Sequence, residues 1–189
     1  MSTTAALVDA KLNRRFDLLD SDGDGYLTVA DYDLIVDRLL EVYRPAPDSP
    51  IAAEVRAKFM RLWVGLKNRA DSDGDDKVSR EEYVKAARAG MAERDGGYDR
   101  VMRPVQEVTL RLAGCHNSGG LSAEQFARLM GTVGVDPAYA ASFFATVDTN
   151  NDGEISTDEY LAVDREFYCS HDPAAPGNHL YGRLDTSPA

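Results

Sequence analysis

Residues 148–159 read DTNNDGEISTDE and carry oxygen-bearing side chains at the first, third, fifth, ninth and twelfth positions: Asp148, Asn150, Asp152, Ser156 and Glu159. Alternate residues of a tight loop can point inward together. A ring of such oxygens suits a hard divalent cation, and Ca²⁺ takes six to eight of them at about 2.3–2.6 Å. The peptide carbonyl of Glu154 fills the seventh place, and Glu159 closes the shell with two oxygens. Gly153, sixth, turns the chain where a Cβ would be crowded, and Ile155 is eighth. One such stretch could also be a polar turn between two helices, so recurrence decides the matter.

The pattern recurs twice. In residues 20–31 (DSDGDGYLTVAD), Asp20, Asp22, Asp24 and Thr28 take ligand places, Tyr26 offers its carbonyl, Gly25 makes the turn and Leu27 is eighth. The twelfth residue is Asp31, where Glu is usual. In residues 71–82 (DSDGDDKVSREE), the ligands are Asp71, Asp73, Asp75, Ser79 and Glu82, with the carbonyl of Lys77. Asp76 replaces the turn glycine, and Asp tolerates the left-handed conformation better than most residues. These are three copies of the EF-hand calcium loop. A fourth segment, 114–125 (GCHNSGGLSAEQ), aligns on Leu121 as the eighth place. Gly114, His116, Ser118 and Gln125 then hold the first, third, fifth and twelfth places, and no ligand place carries a carboxylate. Such weak donors do not repay the dehydration of Ca²⁺, so this loop is expected to keep its scaffold without an ion.

Helical spacing surrounds each loop. Leu12, Phe16 and Leu19 precede the first, and Tyr32, Ile35, Val36 and Leu39 follow it. Prolines in residues 44–50 predict a linker. A long helix over 51–70 carries Phe59, Leu62, Trp63, Leu66 and Ala70 on one side; Trp63 reads as core rather than as a binding anchor. Residues 95–97 mark the boundary between halves. The next helix, from about residue 98, holds Pro104 in its first turn or at a kink. Asp136 with Pro137 should start the helix of Phe143, Phe144 and Val147, and the last helix carries Tyr160, Val163 and Phe167. The eighth-place residues Leu27, Val78, Leu121 and Ile155 should pair neighbouring loops as short antiparallel ladders. The aromatics after each twelfth place, Tyr32, Tyr83, Phe126 and Tyr160, should fill the core. Ser79 with Glu82, Ser122 with Gln125 and Ser156 with Glu159 form capping boxes, so Ser79 and Ser156 serve either the exiting helix or the ion.

The expected architecture is all-α, with two EF-hand pairs packed into one globule: residues 1–96, residues 97–168, and a tail over 169–189. The chain has 189 residues, 43% hydrophobic, enough for a packed core. A net charge of −11 argues against nucleic acid as a partner and, with the acid clustered in short Asp runs, toward cations. No apolar run is long enough for a membrane span. The first residues lack a signal-peptide pattern, and Ser2 excludes the myristoylation signal. Two cysteines, Cys115 and Cys169, read as reduced cytoplasmic thiols. Cys169, His171 and His179 fit no common zinc spacing. Nothing in the chain suggests an enzyme: there is no phosphate-binding glycine loop, and the acidic clusters are taken up by the loops.

The whole chain resembles the four-EF-hand sarcoplasmic calcium-binding proteins and their bacterial relatives, the calerythrins. The residues that carry this are RRFDLLDSDGDGYLTVADY near the start, the unequal repeat spacing, Asp76 in the second loop, one ion-free hand, and the tail FYCSHDPAAPGNHLYG. The resemblance implies EF-hand pairs packed together without a free central helix, and a calcium buffer at which Mg²⁺ competes. It also implies that Tyr168, Leu180 and Tyr181 fold over the groove that sensors offer to targets, where the alternative is a frayed end. A monomeric buffer binding about three Ca²⁺ is the expected function. The alternative is a sensor that opens a groove for a partner helix. Sensors use Met-rich grooves, and the five Met here (Met1, Met60, Met91, Met102, Met130) are scattered in sequence.

Overall fold

Most helices end at a loop or beside a proline. In the computed structural model, which describes residues 3–46, 48–92, 94–115 and 119–184, α1 spans Thr3–Leu19 and stops as the first loop begins. Thr28 caps α2 (Val29–Tyr43), and Arg44 ends it in the left-handed conformation at φ 41°. Pro50 opens α3 (Pro50–Ala70), where a missing N–H costs nothing. Ser79 caps α4 (Arg80–Ala87), which runs into a π-helical stretch, Arg88–Ala92. The expected helix from residue 98 is two pieces, α5 (Gly97–Val101) and α6 (Arg103–Leu112), broken at Met102. Pro104, in the first turn of α6, removes the N–H that a continuous helix would need. Then follow α7 (Ala123–Thr132), α8 (Pro137–Val147), capped by Asp136, and α9 (Thr157–Cys169), with a 3₁₀ turn at Pro176–His179.

The loops pair as their eighth residues predict. Strands β1 (Tyr26–Leu27) and β2 (Val78–Ser79) are antiparallel, with Leu27 opposite Val78. Leu121 and Ile155 form a single bridge through two backbone hydrogen bonds of 2.9 and 2.8 Å. Tyr32, Tyr83, Phe126 and Tyr160 are all buried beneath them, in one continuous core. Trp63 is buried against Tyr32, with ring centroids 5.4 Å apart, so its core assignment stands.

A polar network inside the core ties α1 to α5, α6, α9 and the chain after it. Asp164 is fully buried and accepts from the hydroxyls of Tyr98 (2.7 Å) and Tyr181 (2.6 Å). Burial pushes its carboxyl above the usual carboxylate range, against the pull of those hydrogen bonds. Gln106 donates to the Tyr181 hydroxyl at 3.1 Å. Arg15 donates to the Tyr168 hydroxyl at 3.0 Å and stacks over the Tyr181 ring at 4.6 Å. Leu180 and Tyr181 are each 1% exposed, so the chain after α9 returns into the core. Gly177 lets it do so: a Cβ there would stand 2.5 Å from the Val163 carbonyl oxygen and 2.4 Å from the Glu166 Cβ. Among the described residues, no helix is long and apolar enough to cross a membrane.

Candidate metal centres

The same hydrogen-bond ladder is built three times. The first-place carboxylates hold the loop ends: Asp20 accepts from the amides of Gly23 and Gly25, Asp71 from Gly74 and Asp76, Asp148 from Asp152 and Gly153. Third-place Oδ1 atoms accept two residues on, Asp22 from Asp24, Asp73 from Asp75 and Asn150 from Asp152. The fifth-place residues do likewise: Asp24 from Tyr26 (2.8 Å), Asp75 from Lys77 (2.9 Å) and Asp152 from Glu154 (2.8 Å). These local Asx turns fold each loop around its own side chains. Asp76 takes φ 65° and Gly25 and Gly153 take 87° and 85°, so Asp fills the left-handed place that glycine fills elsewhere. Asp76 also pairs with Lys67.

The twelfth-place acids close each loop back on its start. Glu82 accepts from the amide and hydroxyl of Ser72 on Oε1, and from those of Ser79 on Oε2. Hydrogen bonds from Ser72 first, then Ser79, hold it down at about 2. Glu159 does the same with Thr149 and Ser156. Burial would raise it, but the bonds from Ser156 and Thr149 win and hold it at about 2. Asp31, 2% exposed, accepts from the Ser21 amide and from Thr28. In the first two loops carboxylate oxygens converge: Asp20, Asp22 and Asp31 lie within 4.8 Å of one another, as do Asp71, Asp73 and Glu82. An all-oxygen donor set this close and this negative fits a hard cation.

Sequence reasoning missed part of this closure. The hydroxyl residue at each second place (Ser72, Thr149) clamps the twelfth carboxylate, and its recurrence at Ser21 was a visible signal. Thr28 and Asp31 form a fourth capping box, overlooked because Asp replaces the usual Glu. In every good loop the ninth-place hydroxyl sits in a capping box, Thr28, Ser79 and Ser156 alike.

The third loop differs in kind. Its second place is Cys115, buried, with Sγ 3.7 Å from the Ile155 carbonyl. Gln125 accepts from the Ser122 amide at 2.9 Å and so only caps a helix. Glu154 reaches over from the fourth loop to accept from the Gly120 amide at 2.9 Å. His116 and Ser118 lie outside the described residues.

Helix–loop–helix pairs joined by an eighth-residue ladder, with oxygen-lined loops, define an EF-hand calcium-binding protein. Family models agree: an EF-hand domain pair matches residues 9–88 and an EF hand matches residues 140–163, together more than half of the chain. The chain belongs to the EF-hand family of calcium-binding proteins, which are not enzymes. Within that family it is similar to calerythrin of Saccharopolyspora erythraea, 28% identical over 183 residues, covering 96% of this chain and 97% of calerythrin. The structure of a Streptomyces coelicolor calcium-binding protein superposes with a TM-score of 0.73 at 25% identity, covering 85% of this chain and 97% of that one. A sarcoplasmic calcium-binding protein from amphioxus shares the fold, with a TM-score of 0.71 at 19% identity over 93% of this chain and 97% of that one.

Proposed function

We propose that the protein is an intracellular calcium buffer that binds three Ca²⁺, in the first, second and fourth loops. The ligands are Asp20, Asp22, Asp24, the Tyr26 carbonyl, Thr28 and Asp31; Asp71, Asp73, Asp75, the Lys77 carbonyl, Ser79 and Glu82; and Asp148, Asn150, Asp152, the Glu154 carbonyl and Glu159. Mg²⁺ competes for these sites. Residues 1–96 and 97–168 act as two EF-hand pairs, residues 169–184 of the tail close over them, and the unit works as a monomer. The observation that carries the buffer over the sensor is the seating of Leu180 and Tyr181, each 1% exposed, in the core a sensor would open. Tyr181 is also held there by Asp164, Gln106 and Arg15. A surface already filled by the chain itself has no apolar face to release when calcium arrives.

The test is the fluorescence of a neutral hydrophobic dye, Nile red, with and without saturating Ca²⁺ in constant Mg²⁺. Flat or falling emission supports the buffer. A sharp calcium-dependent rise would replace it with the sensor. Calorimetric titration should count three Ca²⁺ per chain.

A further inference from the structure

Outside the calcium loops, a water-open groove of about 690 Å³ lies between α3, the π-helical stretch and the α5–α6 segment. Five cations line it: Lys58, Arg61, Arg69, Arg94 and Arg100. This is a local reversal of sign in a chain of net charge −11. Among the described residues, no carboxylate lines the groove. Several arginines elsewhere are neutralised: Arg56 pairs with Asp37, Arg80 with Asp17, Arg103 with Glu107 and Arg111 with Glu54. Among the described residues, Lys58, Arg61, Arg69 and Arg94 have no such partner. Among the described residues, the Arg100 guanidinium donates to the Asp95 carbonyl, at 2.6 Å, and pairs with no carboxylate. A concave surface lined by one sign of charge focuses its field on an incoming counter-charge.

The groove's lining also includes small and apolar residues: Leu62, Gly65, Ala86, Gly90, Val101 and Val105. Arg69 lies across it, with Nη2 3.7 Å from where a Cβ on Gly65 would stand and Nη1 3.9 Å from the same point on Gly90. Adjoining it is a smaller, mostly apolar cavity of about 40 Å³, which shares Leu62, Arg69, Ala86, Gly90 and Val101 with the groove. Met91 and Met102, far apart in sequence, meet in that cavity's wall, and such side chains repack readily around an apolar guest. Arg15 also lines it; it is 5% exposed and its Nη1 has no hydrogen-bond partner.

We propose that this groove binds a small anionic amphiphile, a carboxylate carried on an apolar body. The anion meets the arginines and Lys58, and the body lies along Leu62, Val101 and Val105 toward the methionine-walled cavity. That adjoining cavity is what favours a small molecule over an acidic helix or a lipid surface, neither of which needs depth behind a basic mouth. The inference goes beyond calcium buffering and does not rest on it.

The test uses the full calcium-loaded chain without excess free calcium, titrated calorimetrically with monomeric sodium decanoate. Decyltrimethylammonium is the opposite-charge control, and Trp63, the single tryptophan, gives a second readout by fluorescence. Expected is saturable decanoate binding, none of the cation, and at least about tenfold weaker binding in Arg61→Glu/Arg94→Glu. Gly65→Leu should abolish binding, since it puts a side chain into the groove. The Cβ itself meets nothing closer than 3.7 Å, and melting temperature and calcium stoichiometry measured on the same variant separate a blocked groove from a damaged fold. No saturable decanoate binding overturns the proposal, as does equal binding of the cation or binding untouched by both variants. Capture by phosphatidylglycerol vesicles or by a glutamate-rich peptide without decanoate binding also overturns it.

Discussion

Lys11 donates from Nζ to the carbonyl of Ser170 at 2.7 Å, across 159 residues of sequence. The same ammonium donates to the Glu166 carbonyl and to Asn178 Oδ1 at 3.0 Å, and it is fully buried. It therefore caps the C-terminal end of α9 and fastens the returning tail to α1 at once. Lys11→Met leaves these acceptors without their donor. It should cost about 1–3 kcal/mol of unfolding free energy, read by urea denaturation in chelator.

Lys11 also gives the protein an uncommon pH response. Burial pulls its pKa down from 10.5 to about 8, against the charges of Cys169 and Glu166. Between those two values the unfolded chain keeps a proton on this lysine that the folded one has lost, so the contribution of Lys11 to stability should rise with pH across that window. Comparing wild type with Lys11→Met at pH 7.5 and pH 9.5 checks this. The stability difference between the two should shift toward wild type by pH 9.5; an unchanged difference would assign the pH response elsewhere. Burial raises the Cys169 thiol and the hydroxyls of Tyr83, Tyr160 and Tyr168, and their ionisation favours unfolding, so they act with the opposite sign as pH approaches the ordinary thiol and tyrosine values.

Gly177→Ala probes the closure more directly. The added Cβ would meet the backbone oxygen of Val163 at 2.5 Å, which cannot swing aside as a side-chain tip would. The 3₁₀ turn should lift, drawing Leu180 and Tyr181 out of the core. Nile red emission should rise several-fold in this variant while calcium stoichiometry stays unchanged. Unchanged emission would mean that the tail's seat is broader than this one contact.

The loops and their pairing were legible because local chemistry dictates them. Leu27 opposite Val78 and Leu121 opposite Ile155 follow from the eighth position alone. The buried aromatics at Tyr32, Tyr83, Phe126 and Tyr160 follow from the residue after the twelfth. What was not legible depends on residues far apart in sequence. Lys11 and Arg15 lie on a helix where long cations normally face water, and only the folded tail shows why both are buried. Asp164 gives no periodic sign of its two tyrosine donors. Met91 and Met102 looked scattered, yet the π-helical stretch and the break before α6 bring them to one cavity. Pro104 left two options in the sequence; the structure takes both, a break at Met102 and a place in the first turn.

Removing calcium should destabilise the fold strongly. Carboxylates gathered within 4.8 Å repel when no cation lies between them, in both the first and second loops. Each occupied site should add about 2.7 kcal/mol when free calcium is roughly a hundredfold above its Kd. Scanning calorimetry with Ca²⁺ and with excess chelator should therefore show a large fall in melting temperature in chelator. An unchanged transition would be incompatible with the proposed occupancy of these loops.

The twelfth position separates the first loop from the other two. Glu82 and Glu159 each use one oxygen on the second-place residue and the other on the ninth, with a side chain long enough to span the loop. Asp31 makes the same two connections with one methylene fewer, to the Ser21 amide at 2.9 Å and the Thr28 amide at 2.8 Å. Its carboxylate still converges with those of Asp20 and Asp22, within 4.8 Å, but on the shorter side chain. A single oxygen from it would leave a smaller shell, suited to the octahedral demand of Mg²⁺ at about 2.0–2.1 Å. Asp31→Glu would supply two oxygens and the larger shell that Ca²⁺ accepts and Mg²⁺ does not. The expected result is about a tenfold gain in Ca²⁺ over Mg²⁺ preference at this loop. It would be read by calorimetric competition in a protein whose second and fourth loops are disabled by Glu82→Gln and Glu159→Gln. If the preference stays put, Mg²⁺ competition is set by the Asp20, Asp22 and Asp24 carboxylates instead, and the twelfth residue acts mainly as the cap of α2.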